Sequence, residues 1–423
     1  VAILSCFSEA IPFAGYLPVD IGSNEARVAI VRHLAGNRFG GYAVDDTLDG
    51  VASGLPYMAA SRLIRLSTNG GGFTAALTAT ARQGMSLSDP LAVDGATSVL
   101  QLLRGRSIVY VNGQPVAFEV SATGSGASAV SGTVTIASTT YSIGGTVNPT
   151  TGAISITSSA DLPSGTRVLI EVFADYEADP TVAPQVNTKA DVYKLYATPW
   201  RGFTTTTVDA TGQLRNELGI DDQAEGMIAL RAQVGAERHY DALRKSLELG
   251  LSNAVTYDYD WASQKQQKLR FQVWQDFASF LASQSQKMAE DTADSGITHI
   301  YVRKDVATQF LSMPAEFFTP SGILERPGIF RLGTLYGKYA VYYVPRLLTE
   351  SGGASQMLCV GRSNQVGRNM ILLGDAVAPT IIPINVTRTL KYENAYYARA
   401  FTSVNPHAQS ALRATVINLT NLY

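Results

Sequence analysis

The sequence predicts an α+β chain of several compact parts, and three observations carry this. From Val120 to Ala160 no residue is charged, and Val and Ile alternate with Ser, Thr and Gly, which is the period of strands. One helical rhythm then runs unbroken from Asp222 to Gly250. Beyond Gly296, short strand and helix patterns mix before long terminal strands. A chain of 423 residues exceeds what one core fills, so about two to four compact units are expected.

Residues 1–56 alternate apolar clusters with Gly and Pro, as in "IPFAGYLPVDIG" and "NRFGGYAVDD". With no helical or long strand period, they read as an extended arm. "MAASRLIRL" (58–66) fits a strand or one or two helical turns, and "TNGGGF" ends it. "SIVYVNGQPVAFEV" places β-branched and aromatic residues on both sides of Asn112-Gly113, the strongest short hairpin signal. In the uncharged tract, disorder is the alternative, but Val and Ile at every second position favour strands, with a turn at Pro149–Gly152. "TRVLIEVFADYEA" adds one more strand.

In "DDQAEGMIALRAQVGAERHYDALRKSLELG", Met227, Leu230, Val234, Leu243, Leu247 and Leu251 keep the i+3/i+4 spacing. Asp222 is the expected cap, with Glu225 three residues on, and Gly250 the expected stop. At 1.5 Å per residue the helix is roughly 42 Å long. A second helix follows in "SQKQQKLRFQVWQDFASFLASQSQKMAED", with Phe271, Trp274, Ala278, Leu281 and Met288 on one face. Then come the strand "THIYV", a short helix over 305–313, the hairpin "LGTLYGKYAVYYVP", and the strands "QMLCVGR" and "NMILLGDA".

Composition excludes several function classes. With 33 Lys and Arg against 35 Asp and Glu, and no dense basic run, non-specific nucleic-acid binding lacks its electrostatic footprint. Cys6 and Cys359 form no CxxC, which argues against a disulfide framework or zinc site and for free thiols in a reducing cytoplasm. The apolar run "NMILLGDAVAPTIIPI" is interrupted by Asp375, Pro379 and Pro383, short of the ~20 residues a bilayer needs. The N-terminal stretch lacks a basic region, contains Glu9 and does not begin with Met, so it is not read as an intact signal peptide. A start without Met is expected from trimming or from cleavage by a protease.

Chemistry is equally sparse. His33, His239, His299 and His407 form no metal-binding spacing. No GxSxG occurs, and neither "STNGGGF" nor "TGSGAS" leads into Lys-Ser/Thr. The pairs Asp45-Asp46, Asp221-Asp222 and Asp258/Asp260 read as a helix start and solvated turns. No catalytic residue, metal or cofactor is assigned, and the chain is not read as an enzyme. The low charge, 16% of residues beside 37 Gly and 20 Tyr, fits a chain that hides surface against copies of itself.

Three stretches carry a resemblance. They are "YATPWRGFTTTTVDATGQLRNELGIDDQAEGMIALRAQVGAERHYDALRKSLELG", "LRFQVWQDFASFLASQSQKMAEDTADSGITHIYVRKDVATQFLSM" and "GRNMILLGDAVAPTIIPINVTRTLKYENAYYARAFTSVNPHAQSA". In this order they resemble the extended loop with spine helix, the opening of the axial domain, and the return strands of tailed-phage major capsid proteins. That family has the Hong Kong 97-like fold; the T-even-type and jumbo-phage myovirus branch is the one resembled.

The resemblance implies an N-terminal arm (1–56) and an extended loop (57–200) with a β-rich insertion at about 105–178. It implies a peripheral domain (201–255) with the spine helix at 222–250, an axial domain (256–378), and peripheral return strands (379–423). It further implies self-assembly into hexamers and pentamers of an icosahedral head, assembled in the bacterial host cytoplasm, that encloses double-stranded DNA with weak interior contact. Vertex, decoration, scaffold and portal proteins and a maturation protease would be partners, and a membrane would not. No Lys–Asn crosslinking pair is identifiable. An encapsulin-like compartment is the alternative within the fold; a β-rich adhesin or carbohydrate-binding protein is the alternative outside it. Phe13, Tyr16, Phe39 and Tyr42 are expected as intersubunit contacts, buried only on assembly. Tyr392, Tyr396, Tyr397 and Phe401 are expected to pack rather than catalyse.

Overall fold

The computed structural model describes residues 11–66, 74–82, 91, 98–120, 126–219, 221–384 and 390–423. Its contacts divide the chain into two compact units, residues 1–30 with 191–423, and residues 31–190. The chain passes between them along strands β2 (Glu25–Ala35) and β11 (Val186–Tyr196), after a short β1 (Gly15–Tyr16).

Residues 31–190 hold an eight-stranded sheet. Its strands are β3 (Ser61–Leu66), β4 (Thr74–Thr78), β5 (Ile108–Val111), β6 (Gln114–Val120), β7 (Ser128–Ile136), β8 (Thr139–Val147), β9 (Ala153–Ser158) and β10 (Val168–Phe173), in the order β3-β10-β5-β6-β7-β8-β9-β4. The expected hairpin is β5–β6, and both turn residues, Asn112 and Gly113, have positive φ (51° and 82°), the geometry that makes Asn-Gly the favoured pair. The uncharged tract forms β7, β8 and β9, and the period-two positions Val130, Val134, Ile143, Ile154 and Ile156 are buried. "MAASRLIRL" resolves as strand β3, pairing with β10. The Gly-rich stretch 67–73 lies outside the described residues.

This compact unit, residues 31–190, is therefore larger than the stretch of about 105–178 expected as a separate β-rich part. Ala35, Phe39, Tyr42 and Tyr57 belong to the same core as β5–β10. The arm-like sequence from residue 31 onward is part of this unit, not a segment without a core.

The second unit continues with β12 (Thr198–Thr207), helix α1 (Asp222–Leu251) and β13 (Val255–Asp258). Helix α2 (Arg270–Thr292), β14 (Ile297–Val302) and α3 (Lys304–Leu311) follow. Strands β15 (Phe318–Pro320), β16 (Phe330–Leu335), β17 (Tyr339–Tyr343), β18 (Glu350–Ser351), β19 (Ala354–Gly361), β20 (Ile371–Ile384), β21 (Lys391–Val404) and β22 (Ala414–Thr420) complete it. One sheet runs β13-β22-β19-β14-β17-β16-β15 and is packed by α2 through Trp274, Phe277, Leu281 and Met288. Phe271 and Ala278, expected on that face, are only half-buried at its border; Val273 and Phe277 take their place. The other sheet runs β1-β20-β21-β12.

Two details of α1 differ from expectation. Asp221, not Asp222, is the cap: its Oδ1 accepts the N–H groups of Gln223 (3.2 Å) and Ala224 (3.4 Å). Gly250 does not stop the helix, which runs on to Leu251 and Ser252 in right-handed geometry. Gly250 is a packing position instead, since a Cβ there would sit 3.0 Å from Val416 Cγ2.

Candidate assembly surfaces

Phe13, Tyr16, Phe39 and Tyr42 are the four residues expected at intersubunit contacts, and the structure separates them. Phe13 is fully buried in its own unit, edge-to-face with Tyr301 at 5.8 Å between ring centroids, in a core with Leu243, Leu247 and Ile371. Phe39 and Tyr42 are buried in the 31–190 unit: the ring of Phe39 lies 5.8 Å from that of Tyr176, and Tyr42 packs edge-to-face on Tyr57. The guanidinium of Arg62 covers Phe39 at 4.3 Å. The expectation that these three become buried only on assembly is corrected, because partners far along the same chain already enclose them. Tyr16 remains partly exposed, with its hydroxyl pKa raised by burial and by Asp375 beside it.

The other singled-out groups have local structural roles. His33 Nδ1 lies 3.1 Å from Asp49 Oδ1, and His407 Nδ1 lies 2.9 Å from Ser410 Oγ. His239 and His299 are buried, and burial lowers both pKa values from 6.5 to about 4. Asp46 accepts the N–H of Ala43, and Asp258 accepts the N–H of Asp260 and an Nδ2–H of Asn421. Cys359 is buried, which pushes its thiol pKa up. Cys6 lies outside the described residues. Among the described residues no cluster of His, Cys, Asp and Glu could hold a metal, and no helix is long and apolar enough to cross a membrane.

Sequence reading missed the ion pair at the middle of α1. Arg238 Nη1 donates to Asp375 Oδ1 at 2.8 Å, with both side chains almost wholly buried. Its Nε donates to Thr402 Oγ1, and its Nη2 to the Phe401 carbonyl. The signal was present: Asp375 stands alone in an apolar run, and a buried carboxylate needs a cation.

That pair marks a change along the helix. From Arg238 onward, α1 buries Arg238, His239, Ala242, Leu243, Ser246, Leu247 and Gly250; from Asp222 to Glu237 no residue is fully buried, and Met227, Leu230 and Val234 are half-buried. The earlier half lies on β12 through small residues. A Cβ on Gly202 would come within 2.9 Å of Leu230 Cδ2, and one on Gly226 within 3.1 Å of Thr204 Cγ2. On the opposite face of that sheet, Phe203, Ala395 and Ile382 stand in one cross-strand row. Phe203 is 65% exposed and Ile382 48%. Ile228, on the outer side of the helix, is 58% exposed. Helix and sheet here form two layers with apolar groups bare on both outer sides. Of the four aromatics on β21, Tyr396 and Phe401 are buried, while Tyr392 and Tyr397 are half-covered; Arg201 lies 5.8 Å from the Tyr397 ring.

No protein-family model matches the chain, and no curated protein matches it by sequence. Its solved neighbours are mostly capsid structures of tailed phages. The jumbo bacteriophage PhiKZ capsid overlaps 98% of this chain and 92% of its own, at 11% identity and a TM-score of 0.43. A structure from Microbacterium phage Oxtober96 overlaps 75% of this chain and 88% of its own, at 10% identity and a TM-score of 0.36. The SrpI encapsulin of Synechococcus elongatus PCC 7942 overlaps 56% of this chain and 78% of its own, at 10% identity and a TM-score of 0.31.

Proposed function

We propose that this chain is the major capsid protein of a tailed phage, a structural subunit that assembles with copies of itself into an icosahedral head around double-stranded DNA. The observation that carries the proposal is the two-layer region formed by the first half of α1 and strands β12, β21 and β20, whose outer sides stay open. A helix half whose apolar stripe is only half-covered by its own sheet is marginal in water, and an apolar sheet face open to solvent marks an interaction surface. Copies of the same chain, repeated around each subunit, would cover both sides. The element order of the sequence supports the same reading. On it, α1 is the spine helix, residues 256–378 form the axial domain, and 201–255 with 379–423 form the peripheral domain. Residues 57–200 then correspond to the extended loop, enlarged here by the 31–190 unit. Hexamers and pentamers, vertex, decoration, scaffold and portal partners, and a maturation protease belong to this proposal, as does residence in the virion.

The test is assembly of the full chain, followed by sedimentation and negative-stain microscopy. Wild type is expected to form closed shells of uniform diameter. Phe203→Glu and Ile228→Glu, at exposed positions, are expected to keep wild-type circular dichroism yet sediment as small species. Shells of normal size from both variants, or a wild type that stays monomeric at high concentration, would refute the proposal.

A further inference from the structure

A cavity of about 780 Å³ opens in the unit of residues 1–30 and 191–423. Pro12 and Tyr16 line it from the segment around β1, Thr298 and His299 from β14, and Arg362 and Asn364 from the loop after β19. Among the described residues no Asp or Glu lines it. Arg362 is anchored through its backbone: its N–H donates to Thr298 Oγ1 at 2.9 Å, and its carbonyl accepts from Ser295 Oγ at 2.6 Å. Its side chain is exposed and forms no ion pair among the described residues. Asp294 reaches the wall through Ser363 but is already paired with Arg413 at 2.6 Å.

We propose that this cavity binds a phosphate group, with the Arg362 guanidinium and His299 Nε2 as donors. The inference is independent of the shell reading. His299 is only 9% exposed, yet its Nε2 makes no hydrogen bond among the described residues. Its Nδ1 lies 2.7 Å from Thr298 Oγ1, closer than the 3.3 Å from that hydroxyl to the Val360 carbonyl. The shorter contact makes Nδ1 the acceptor, so the neutral ring carries its proton on Nε2 and offers a donor to the cavity. The charged and titratable groups around the ring are Arg362, Arg331, Tyr342 at 5.9 Å between ring centroids, and Tyr16 across the cavity. None is an acid at neutral pH, so an anion would bring the charge that the site lacks. Arg362 presents the planar fork that suits phosphate oxygens, and the Asn364 amide adds a third donor. Three donors around a space this wide match a tetrahedral oxyanion better than a planar carboxylate. The space holds free phosphate or the phosphate of a small ester.

Calorimetric titration of the full chain tests this, with inorganic phosphate, adenosine monophosphate and acetate as probes. Phosphate is expected to bind at one site per chain. Arg362→Gln, at an exposed position, should keep wild-type circular dichroism and weaken phosphate binding by about tenfold or more. Arg362→Lys, which keeps the charge and loses the fork, should fall between the two. Tighter binding of adenosine monophosphate than of phosphate identifies an ester as the ligand; equal or weaker binding identifies the free anion. Acetate as tight as phosphate, phosphate binding that Arg362→Gln leaves unchanged, or no binding of either phosphate probe overturns the site. Sulfate, whose charge does not change over the range, supplies a second readout. Burial, with Arg362 and Arg331 nearby, lowers the His299 pKa to about 4, and an anion beside Nε2 favours the protonated ring. Saturating sulfate should therefore raise the His299 titration midpoint, followed by nuclear magnetic resonance of ring-labelled histidine, by about one pH unit. A midpoint that sulfate does not move overturns the assignment of His299.

Discussion

Phe13 decides whether the segment before β2 belongs to its own subunit or to a neighbour. Its ring is wholly buried by Tyr301, Leu243, Leu247 and Ile371 of the same chain. Phe13→Ala would remove the ring and leave a cavity among side chains held by two sheets and a helix, so little collapse is available. Fully buried Phe→Ala changes cost about 3–5 kcal/mol, a figure that includes the lost edge-to-face contact with Tyr301. All three tryptophans, Trp200, Trp261 and Trp274, lie in the unit of residues 1–30 and 191–423, so their fluorescence reports that unit alone. With a urea dependence of about 3 kcal/mol per molar, the midpoint of dissociated subunits should fall by roughly 1–1.7 M. Tyr16→Ala, at a site 36% exposed, should shift it by much less. A midpoint within about 0.2 M of wild type, far below the cavity cost, would show that Phe13 is enclosed only by neighbours and would restore the original expectation for the arm.

Arg238→Met should destabilise the same unit by about 3–5 kcal/mol, because Asp375 would be left buried without its cation; the double change Arg238→Met with Asp375→Leu should recover most of the loss, and urea melts of the three variants check both statements. Acid should weaken the unit through His239 and His299, whose pKa values burial lowers from 6.5 to about 4. The unfolded chain binds these protons near pH 6.5 and the folded chain only near 4. Stability from the two rings is therefore intact above about pH 6.5 and falls between 6.5 and 4, by at most about 3 kcal/mol per ring. His239→Phe should flatten that pH slope, and equal slopes in variant and wild type would exclude the ring as a source.

Legibility followed the length over which a pattern repeats. The hairpin at Asn112-Gly113, strands β7–β9 and helix α1 were readable because each carries its own period or turn chemistry over many residues. The region before β3 was misread because its core residues come singly. Phe39 is held by Tyr57, Arg62 and Tyr176. The hydroxyl of Tyr57 lies 2.6 Å from Asn37 Oδ1 and 2.7 Å from the Gln185 carbonyl oxygen. A segment that lends one side chain at a time to a core built elsewhere leaves no periodicity to detect. The cap of α1 moved by one residue for a similar reason: two adjacent aspartates satisfy the same pattern, and only backbone geometry chooses between them.

Periodicity also shows which face of a helix is apolar, but not which stretch of that face is covered. Met227, Leu230 and Val234 keep the same spacing as Leu243 and Leu247, yet only the second set is buried in the chain. Charge supplies what spacing cannot. The unburied stretch carries Asp222, Glu225, Arg231 and Glu237, while the shorter covered stretch carries Arg238, Asp241, Arg244, Lys245 and Glu248. A helix half that faced water permanently would be expected to hold the denser charge. Here the bare half is the sparser one. It also presents Ile228 outward, and it lies over a sheet whose far face shows Phe203 and Ile382. Charge is withheld where this chain alone leaves the surface open, which is the pattern expected if other copies close it.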